Sequence, residues 1–435
     1  MRFYLLQMKV NGIKNIDKEI VLNFYNKTLK KTFEFNNSNI KSIYGSNGSG
    51  KSAIINAVDI YKNLILNGNY LSDSRSLRVL NELINKKNNK FSIELSFLYY
   101  NKDEFIRSDV VTHRIEVIKE SRNNLRISYE RIFINKGNKY DGTKGKVLIE
   151  IENGQFVKSD FESEYKEIEK YTLNLLDKHS IITVLSKHFF SNQSNERSYY
   201  LLNLLSPIAL CFHLEVIMSN SDIHQNYLLM KDLEEFSNFF YEKLQYTYIN
   251  TNTDFIDKKD FHQYKKNVCN LERFIKVFKS ELICIDIDFK EDKDVFICNK
   301  YFNYGDYRIE SEFESTGIKK LITLYNAFYD LNNGKIVFID ELDANLHDVY
   351  LCKLLEYFSI YAKGQLCFTT HNLAPMEILK KRNYSIDFLS DNSTITSWIK
   401  NGNYSVSKLY KEGMIDNSPF NIEAFDFIGL FDENE

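Results

Sequence analysis

The stretch NIKSIYGSNGSGKSAIINAV, residues 39–58, decides the fold class of this 435-residue chain. It contains the pattern G-x-x-x-x-G-K-[ST], preceded by a short apolar run and followed by apolar residues at helical spacing. A strand, a glycine-rich turn and a helix in this order form a phosphate cradle, because glycines let backbone N–H groups close around phosphate oxygens. The helix N-terminus adds partial positive charge at the same point. The stretch therefore predicts a phosphate-binding loop (P-loop).

The residues of this loop are predicted to bind the phosphates of a nucleotide, and two of them have individual roles. Lys51 reaches the β- and γ-phosphates, and Ser52 supplies a hydroxyl to Mg²⁺. The remaining predicted nucleotide contacts are Gly45, Ser46, Asn47, Gly48, Ser49, Gly50 and Ala53. The alternative is a glycine-rich turn with a chance lysine. It is less favoured, because a strand and a helix flank the loop as the motif requires.

Two carboxylates follow the apolar run KIVFI far downstream. A short, continuous run rich in Val and Ile is typical of a parallel strand that is covered on both faces. Asp340 at its end suits Mg²⁺ coordination, and Glu341 can orient and deprotonate an attacking water. The pair favours hydrolysis over transfer to a second substrate. The alternative is an acidic N-cap of the following helix.

A histidine and a second helix start complete the set of candidate residues. His371 ends the next predicted buried strand, 31 residues after Asp340, and can hydrogen-bond a γ-phosphate. The segment ESTGIKKL places Ser315, Thr316 and Gly317 before a helix, which creates another anion-binding end. A surface helix with Ser315 as N-cap is the alternative. Two anion-binding ends exceed the need of one ATP, which favours a head-to-tail pair of protomers with ATP between them.

The order of P-loop, ESTGIKKL, VFIDELDANLH and FTTHN resembles that of ABC-type ATPase heads of the RecF/SMC class. Within this class the chain resembles small bacterial ATPases grouped with the OLD proteins and with abortive-infection and phage-defence ATPases of the PARIS, RloA or AbiL type. By that resemblance, Ser315–Gly317 is a degenerate signature motif that contacts ATP bound by another protomer. Leu342–Asn345 resembles the D-loop, with Asp343 as a nucleotide contact, and His371 resembles the switch histidine.

The resemblance implies a slow, regulatory ATPase that hydrolyses ATP to ADP and phosphate. It further implies a dimer or higher oligomer joined by ATP, and control of a separate nuclease or toxin in anti-phage defence. DNA or a phage protein is the candidate trigger. OLD nucleases carry a C-terminal Toprim domain, and the roughly 60 residues after His371 are too few for one.

Charge distribution keeps a second function open. Residues 1–150 contain 26 Lys/Arg and 15 Asp/Glu, whereas the remainder contains 30 and 44. A basic N-terminal third fits a nucleotide or nucleic-acid surface, so a RecF-like, ATP-dependent DNA-binding repair protein is the alternative. A small-molecule P-loop kinase is a third hypothesis, but it leaves the signature-like segment and His371 unexplained.

The predicted fold is α/β, a P-loop NTPase of ABC-ATPase type. It has a mixed central sheet, an antiparallel β-subdomain and a helical insertion. Residues 1–159 are predicted to form the N-terminal ATPase lobe with the P-loop and an antiparallel meander. Residues 160–282 are predicted to be the helical insertion, and 283–400 the C-terminal ATPase lobe with the signature, Walker B, D-loop and switch histidine. Residues 401–435 form a hydrophobic, acidic tail.

The sequence also allows predictions about the C-terminal tail and the cellular location. The tail has two interpretations: it docks on the ATPase core, which is favoured, or it binds a partner. Its apolar residues are Phe420, Phe425, Phe427, Ile428, Leu430 and Phe431. Neither a signal peptide nor an apolar run of the roughly 18 residues that a membrane span needs is predicted. Six scattered cysteines without a CxxC pair indicate a reducing, cytoplasmic location.

Overall fold

A computed structural model describes residues 2–25, 39–100, 109–122, 124–135, 145–160, 169, 172, 174–191, 199–218, 248–382, 384–399, 404–415 and 418. The strands in these residues are β1 Arg2–Asn11, β2 Ile20–Asn23, β3 Ile40–Gly45, β4 Lys90–Tyr100, β5 Val110–Ser121, β6 Asn124–Asn135, β7 Lys146–Glu152, β8 Gln155–Ser159, β9 Leu214–Ile217, β10 Asp254–Asp257, β11 Cys284–Asp292, β12 Val295–Asn303, β13 Arg308–Glu310, β14 Ile336–Ile339, β15 Gln365–Thr369, β16 Ile386–Leu389 and β17 Ile395–Ser397. The helices are α1 Lys51–Leu66, α2 Ser74–Leu83, α3 Ile181–Ser191, α4 Tyr199–His213, α5 Phe261–Phe278, α6 Thr316–Asn332, α7 Asp348–Tyr361, α8 Ala374–Leu379 and α9 Val406–Lys411.

The central sheet carries the predicted nucleotide site. Its strand order is β17-β16-β3-β15-β14-β9, and every neighbouring pair is parallel except β16 with β17. β3, which leads into the P-loop, and β14, which leads into Asp340 and Glu341 (the predicted Walker B residues), both pair with β15. Their carboxyl ends therefore lie at one edge of the sheet. In parallel α/β sheets this edge is where ligands bind. The predicted buried parallel strands β14 and β15 are confirmed.

An antiparallel sheet of seven strands lies next to the central sheet. Its order is β2-β1-β4-β5-β6-β7-β8, and it confirms the predicted meander. Its apolar face packs with α1, α3 and α4 into one core, which Ile336 and Phe338 of β14 join from the central sheet. The P-loop helix is therefore clamped between the two sheets.

A third, smaller antiparallel sheet supports the signature-like helix. β12 pairs with β10, β11 and β13. A hairpin turn joins β12 to β13: Tyr304 N donates to Tyr307 O at 2.9 Å, and Gly305 has a φ of +91°. This sheet packs with α5 and α6 on the other side of the central sheet.

The interpretation of 160–282 as purely helical is wrong at two places. α3, α4 and α5 are helices as predicted, but Leu214–Ile217 is an edge strand of the central sheet and Asp254–Asp257 belongs to the third sheet. A short apolar run carries no periodicity that separates helix from strand. Pairing of β9 with β14 decides the conformation. Residues 230–245 of the predicted helical insertion, MKDLEEFSNFFYEKLQ, lie outside the described residues.

The beginning of the C-terminal tail packs on the central sheet. Tyr410 of α9 is buried, and its ring lies 5.4 Å from that of Phe388 and 6.2 Å from that of Tyr44, centroid to centroid. The apolar residues from Phe420 onward lie outside the described residues, so their docking stays a prediction. None of the helices in the described ranges has the length and apolar character needed to cross a membrane.

A buried ion pair ties the P-loop strand to β16. Lys41 Nζ lies 2.7 Å from Asp387 Oδ2, and the two side chains are 2% and 0% exposed. Since removing one partner leaves the other charge buried and uncompensated, Asp387→Ala is expected to lower the free energy of unfolding by about 3–5 kcal/mol. Urea denaturation followed by circular dichroism measures the loss. Lys87→Ala, which removes an exposed pair with Asp17, is the control. Equal losses in both variants would contradict the prediction.

Candidate functional site

The P-loop connects the end of β3 to the start of α1. Gly48 and Gly50 have φ angles of +84° and +106°, a region that other residues adopt only with strain. A Cβ on Gly50 would lie 2.8 Å from Asn15 Oδ1, whereas a Cβ on Gly48 would meet no heavy atom within 4 Å. The loop is thus packed against the protein at Gly50 and open at Gly48. The open side leaves room for a ligand to approach the backbone.

Lys51 lies across the loop. Its Nζ donates hydrogen bonds to Gly45 O and Ser46 O, each at 2.9 Å. Burial lowers the pKa of Lys51, while the carboxylates of Asp340 and Glu341 act in the opposite direction and raise it. Lys51 and the two predicted carboxylates are almost 300 residues apart in the chain, and the parallel pairing of β3 and β14 with β15 places them at the same edge of the central sheet.

Two side chains from outside the loop hold its rim. Asn15, in the turn after β1, donates to Gly48 O. Asp391, in the turn between β16 and β17, accepts a hydrogen bond from Ser46 Oγ at 2.5 Å. Ser49 is 1% exposed, and its Oγ has no hydrogen-bond partner in the described part of the chain. A buried hydroxyl without a partner is costly, so Ser49 fits a loop that is completed by an oxyanion.

A threonine hydroxyl holds the carboxylate of Asp340 and the backbone of Glu341. Asp340 is 1% exposed, and its Oδ1 accepts a hydrogen bond from Thr369 Oγ1 at 2.7 Å. The same oxygen of Thr369 accepts one from Glu341 N at 2.8 Å. Glu341 has a φ of +51°, so this bond holds a backbone conformation that a non-glycine residue rarely adopts. Asp340 N in turn donates to Ile217 O of β9 at 2.8 Å.

Loss of the Thr369 hydroxyl is expected to impair turnover more than binding. Thr369→Val removes the bond to each carboxylate residue, and a hydrogen bond to a charged group contributes enough that the rate should fall about ten- to hundredfold. Phosphate release and titration with a nonhydrolysable ATP analogue measure the two effects. Thr370→Val, the same change one residue later, is the matched control. Equal effects of the two variants, or unchanged turnover in the first, would contradict the positioning role.

Three further predicted site residues lie at the surface. Ser315 and Thr316 are exposed at the start of α6, and His371 is exposed after β15. Ser315 Oγ accepts from Ile318 N at 3.4 Å, so Ser315 is indeed an N-cap. Asp343 Oδ1 is buried, and no hydrogen-bond partner for it occurs among the residues that the structure describes. A cap that is also exposed remains able to contact a ligand brought by another molecule.

Four residues at the site were not predicted from the sequence: Asn15, Lys320, Thr369 and Asp391. Burial lowers the pKa of Lys320, a residue of α6, while the carboxylates of Asp340, Glu341 and Asp343 act in the opposite direction and raise it. Lys320 belongs to the motif ESTGIKKL and Thr369 to the motif FTTHN. Membership of these motifs could have identified both residues from the sequence. Asn15 and Asp391 carry no local pattern.

The donor set fits a nucleotide polyphosphate and a magnesium ion. Open loop backbone, the buried Ser49 hydroxyl and Lys51 suit phosphate oxygens. No three His, Cys, Asp or Glu side chains form a preformed metal cluster in the described ranges. Mg²⁺ commonly uses one or two protein groups together with waters and substrate phosphates, and Ser52 and Asp340 suit that mode.

Sequence comparison identifies the family. A profile described as "AAA domain, putative AbiEii toxin, Type IV TA system" matches residues 42–377, from the P-loop strand through α8. The chain belongs to this AAA domain family. The match spans most of the chain and includes the P-loop, the signature-like helix and both carboxylates. No curated protein matches this AAA domain protein significantly in sequence.

Solved structures resemble the AAA domain protein in fold. An Smc head bound to the C-terminal winged-helix domain of ScpA is 16% identical, with a TM-score of 0.48, and the match covers 93% of this chain and 99% of the other. An Smc head domain from Pyrococcus furiosus is 15% identical (TM-score 0.46, coverage 93% and 97%). The recombination mediator RecF with ATP is also 15% identical (TM-score 0.40, coverage 91% and 99%). At such identities the likeness concerns fold alone. The predicted mixed α/β fold with a P-loop and an antiparallel β-subdomain is confirmed by the sheets of this structure and by the profile match.

Proposed function

We propose that this AAA-family protein binds ATP at the P-loop and hydrolyses it slowly, with Glu341 as the general base. The observation that carries the proposal is that Lys51, after β3, and Asp340 and Glu341, after β14, follow parallel strands at the same carboxyl edge of the central sheet. The Thr369 hydroxyl adds support, because it holds Asp340 and the backbone of Glu341 in one fixed arrangement.

The roles of the residues follow from their chemistry. Lys51 would exchange its bonds to the loop carbonyls for the β- and γ-phosphates, and Ser52 and Asp340 would hold Mg²⁺. A bound Mg²⁺ would supply positive charge that neutralises the phosphates during hydrolysis. Glu341 would accept the proton of the attacking water, and His371 would hydrogen-bond the γ-phosphate.

The signature-like segment supports assembly. Ser315 and Thr316 are exposed at the start of α6, and Gly317 beside them is half-buried. Asp343 Oδ1 is buried and has no hydrogen-bond partner among the described residues. In our proposal these residues contact ATP held by a second protomer, so that ATP joins protomers into a dimer or higher oligomer. Hydrolysis or disruption of the assembly would then release or activate a separate effector.

We assign that effector to the class of nucleases and toxins, and the biological role to anti-phage defence by abortive infection. The description of the family, which names an AbiEii toxin and a toxin–antitoxin system, supports this assignment. The order of motifs supports a component of PARIS, RloA or AbiL type.

Capture of the effector tests the proposed function. The tagged Glu341→Gln variant is expressed together with the genes that neighbour its own, and is purified in ATP and Mg²⁺. A nuclease or toxin is expected to copurify with it, and Lys51→Ala, which cannot hold ATP, is expected to lose that partner. Equal recovery with both variants would show that the effector binds whether or not ATP is bound. Recovery of neither a nuclease nor a toxin would argue against the assigned role.

A RecF-like, DNA-binding repair protein is the second candidate. The excess of Lys and Arg over Asp and Glu in residues 1–150 favours it. A repair protein of this kind should bind DNA in an ATP-dependent manner, with affinity that falls steeply as salt rises. Titration of labelled single- and double-stranded DNA at two salt concentrations distinguishes the candidates, and strong ATP-dependent binding would favour repair over defence.

A further inference from the structure

The turn before the signature-like helix exposes a large apolar side chain. Phe313 is 72% exposed, more than any other large apolar side chain in the described ranges. It ends the short 3₁₀ turn Ser311–Phe313, two residues before the α6 N-cap Ser315. Large aromatic side chains on a protein surface are enriched where another protein binds.

The turn is held rigidly from both sides. Ser311 Oγ donates to Thr251 O at 2.5 Å, and Tyr304 OH donates to Glu314 Oε1 at 2.5 Å. Glu314 Oε2 accepts from Ser315 N at 3.0 Å, so the turn and the helix cap form one unit. The side chain of Phe313 therefore projects from backbone that is already ordered. Binding through such a preorganised anchor costs little additional conformational entropy.

Charges around the turn and around the P-loop are complementary. Glu312 is exposed beside Phe313 and makes no ion pair within the described ranges. The segment that follows β1 exposes Lys14 and Lys18, which also lack an ion pair there, and its Asn15 contacts the P-loop at Gly48. Asp17 and Glu19 of the same segment are paired with Lys87 and Arg114. An exposed glutamate and phenylalanine thus adjoin the signature-like cap, and two lysines outside those ion pairs adjoin the P-loop. In a two-fold pair these two surfaces can meet twice.

We propose that the turn Ser311–Glu314 is a docking anchor for a second copy of this chain. Phe313 would supply the apolar contact, and Glu312 would face the lysines of segment 14–18 beside the partner's P-loop. The inference rests on the proposed ATP-joined assembly, because a partner that presents ATP to Ser315 must cover this turn. It adds the surface by which one protomer recognises another.

Sedimentation velocity of the full chain tests the anchor. In a Glu341→Gln background with ATP and Mg²⁺, Phe313→Asp is expected to raise the protein concentration at half-assembly about tenfold or more, as at buried aromatic anchors. Phe313→Ser is a milder second variant with the same expected direction. Phe255→Asp is the matched control, because Phe255 is 69% exposed on β10 and should leave assembly unchanged. Binding of an ATP analogue to the monomer should be the same in all variants.

Charge reversal tests the partner surface. Glu312→Lys and Lys14→Glu should each weaken assembly, and their combination should restore part of the loss. If the background variant assembles and Phe313→Asp assembles equally well, the anchor is wrong while the proposed function stands. If the background variant binds ATP and stays monomeric, the proposed assembly itself is wrong, and the anchor with it.

Discussion

Glu341→Gln is expected to reduce ATP turnover by about a hundred- to ten-thousandfold while ATP binding persists. A general base contributes a factor of this size, because the attacking water must lose a proton as it reacts. Glutamine keeps the shape of the side chain and the backbone bond from Glu341 N to Thr369 Oγ1, but it cannot accept that proton. The ATP-bound form should therefore accumulate, and with it the assembly of protomers.

Phosphate release, equilibrium binding of labelled ATP and light scattering after gel filtration measure turnover, affinity and assembly separately. Glu356→Gln is the control, because Glu356 lies on the surface of α7 and pairs only with Lys353 among the ion pairs of the described residues. Turnover that persists at the parent rate in Glu341→Gln would exclude Glu341 as the base. If ATP binding is lost together with turnover, Glu341 instead maintains the structure of the nucleotide site.

Lys51→Ala is expected to weaken ATP binding by about a hundredfold, because it removes charge-assisted hydrogen bonds to the phosphates. The same change removes the bonds from Lys51 Nζ to the carbonyls of Gly45 and Ser46. The shape of the empty loop should thus change as well. Isothermal titration calorimetry with a nonhydrolysable analogue measures the affinity, and a thermal melt without nucleotide measures the effect on the empty protein.

The matched control is Lys353→Ala, which removes an exposed lysine on α7. It should bind the analogue with the parent affinity. Because Lys51 is the residue that the P-loop pattern assigns to the phosphates, parent affinity in Lys51→Ala would remove the main support for nucleotide binding at this loop. A lower melting temperature with unchanged affinity would make Lys51 a structural residue.

The P-loop and the two carboxylates were recognisable because their signals are local. The P-loop pattern is complete within the eight residues GSNGSGKS. The spacing of the apolar residues on either side predicts the strand before it and the helix after it. The apolar run KIVFI, which directly precedes Asp340 and Glu341, likewise predicts a buried strand from adjacent residues alone. Such patterns reflect backbone conformation and burial, which neighbouring residues largely determine.

Elements whose conformation depends on distant pairing were missed. Leu214–Ile217 follows α4 without a turn, and its sequence suits a continued helix as well as a strand. It becomes a strand because β14 offers a parallel partner. That pairing also places Ile217 O where it accepts the hydrogen bond from Asp340 N. β9, which lies within the predicted helical insertion, therefore supports Asp340, the predicted metal ligand.

The sequence by itself determined the class of site: a P-loop, a carboxylate pair, a histidine and a second helix start, each in a short pattern. Only the tertiary structure decided how these parts are held. Thr369 joins Asp340 to the backbone of Glu341, and Asn15 and Asp391 brace the P-loop rim. The physical reason is that a hydrogen bond needs its two atoms within about 3 Å. Positions far apart in the chain reach that distance only after the strands have paired and the sheets have packed.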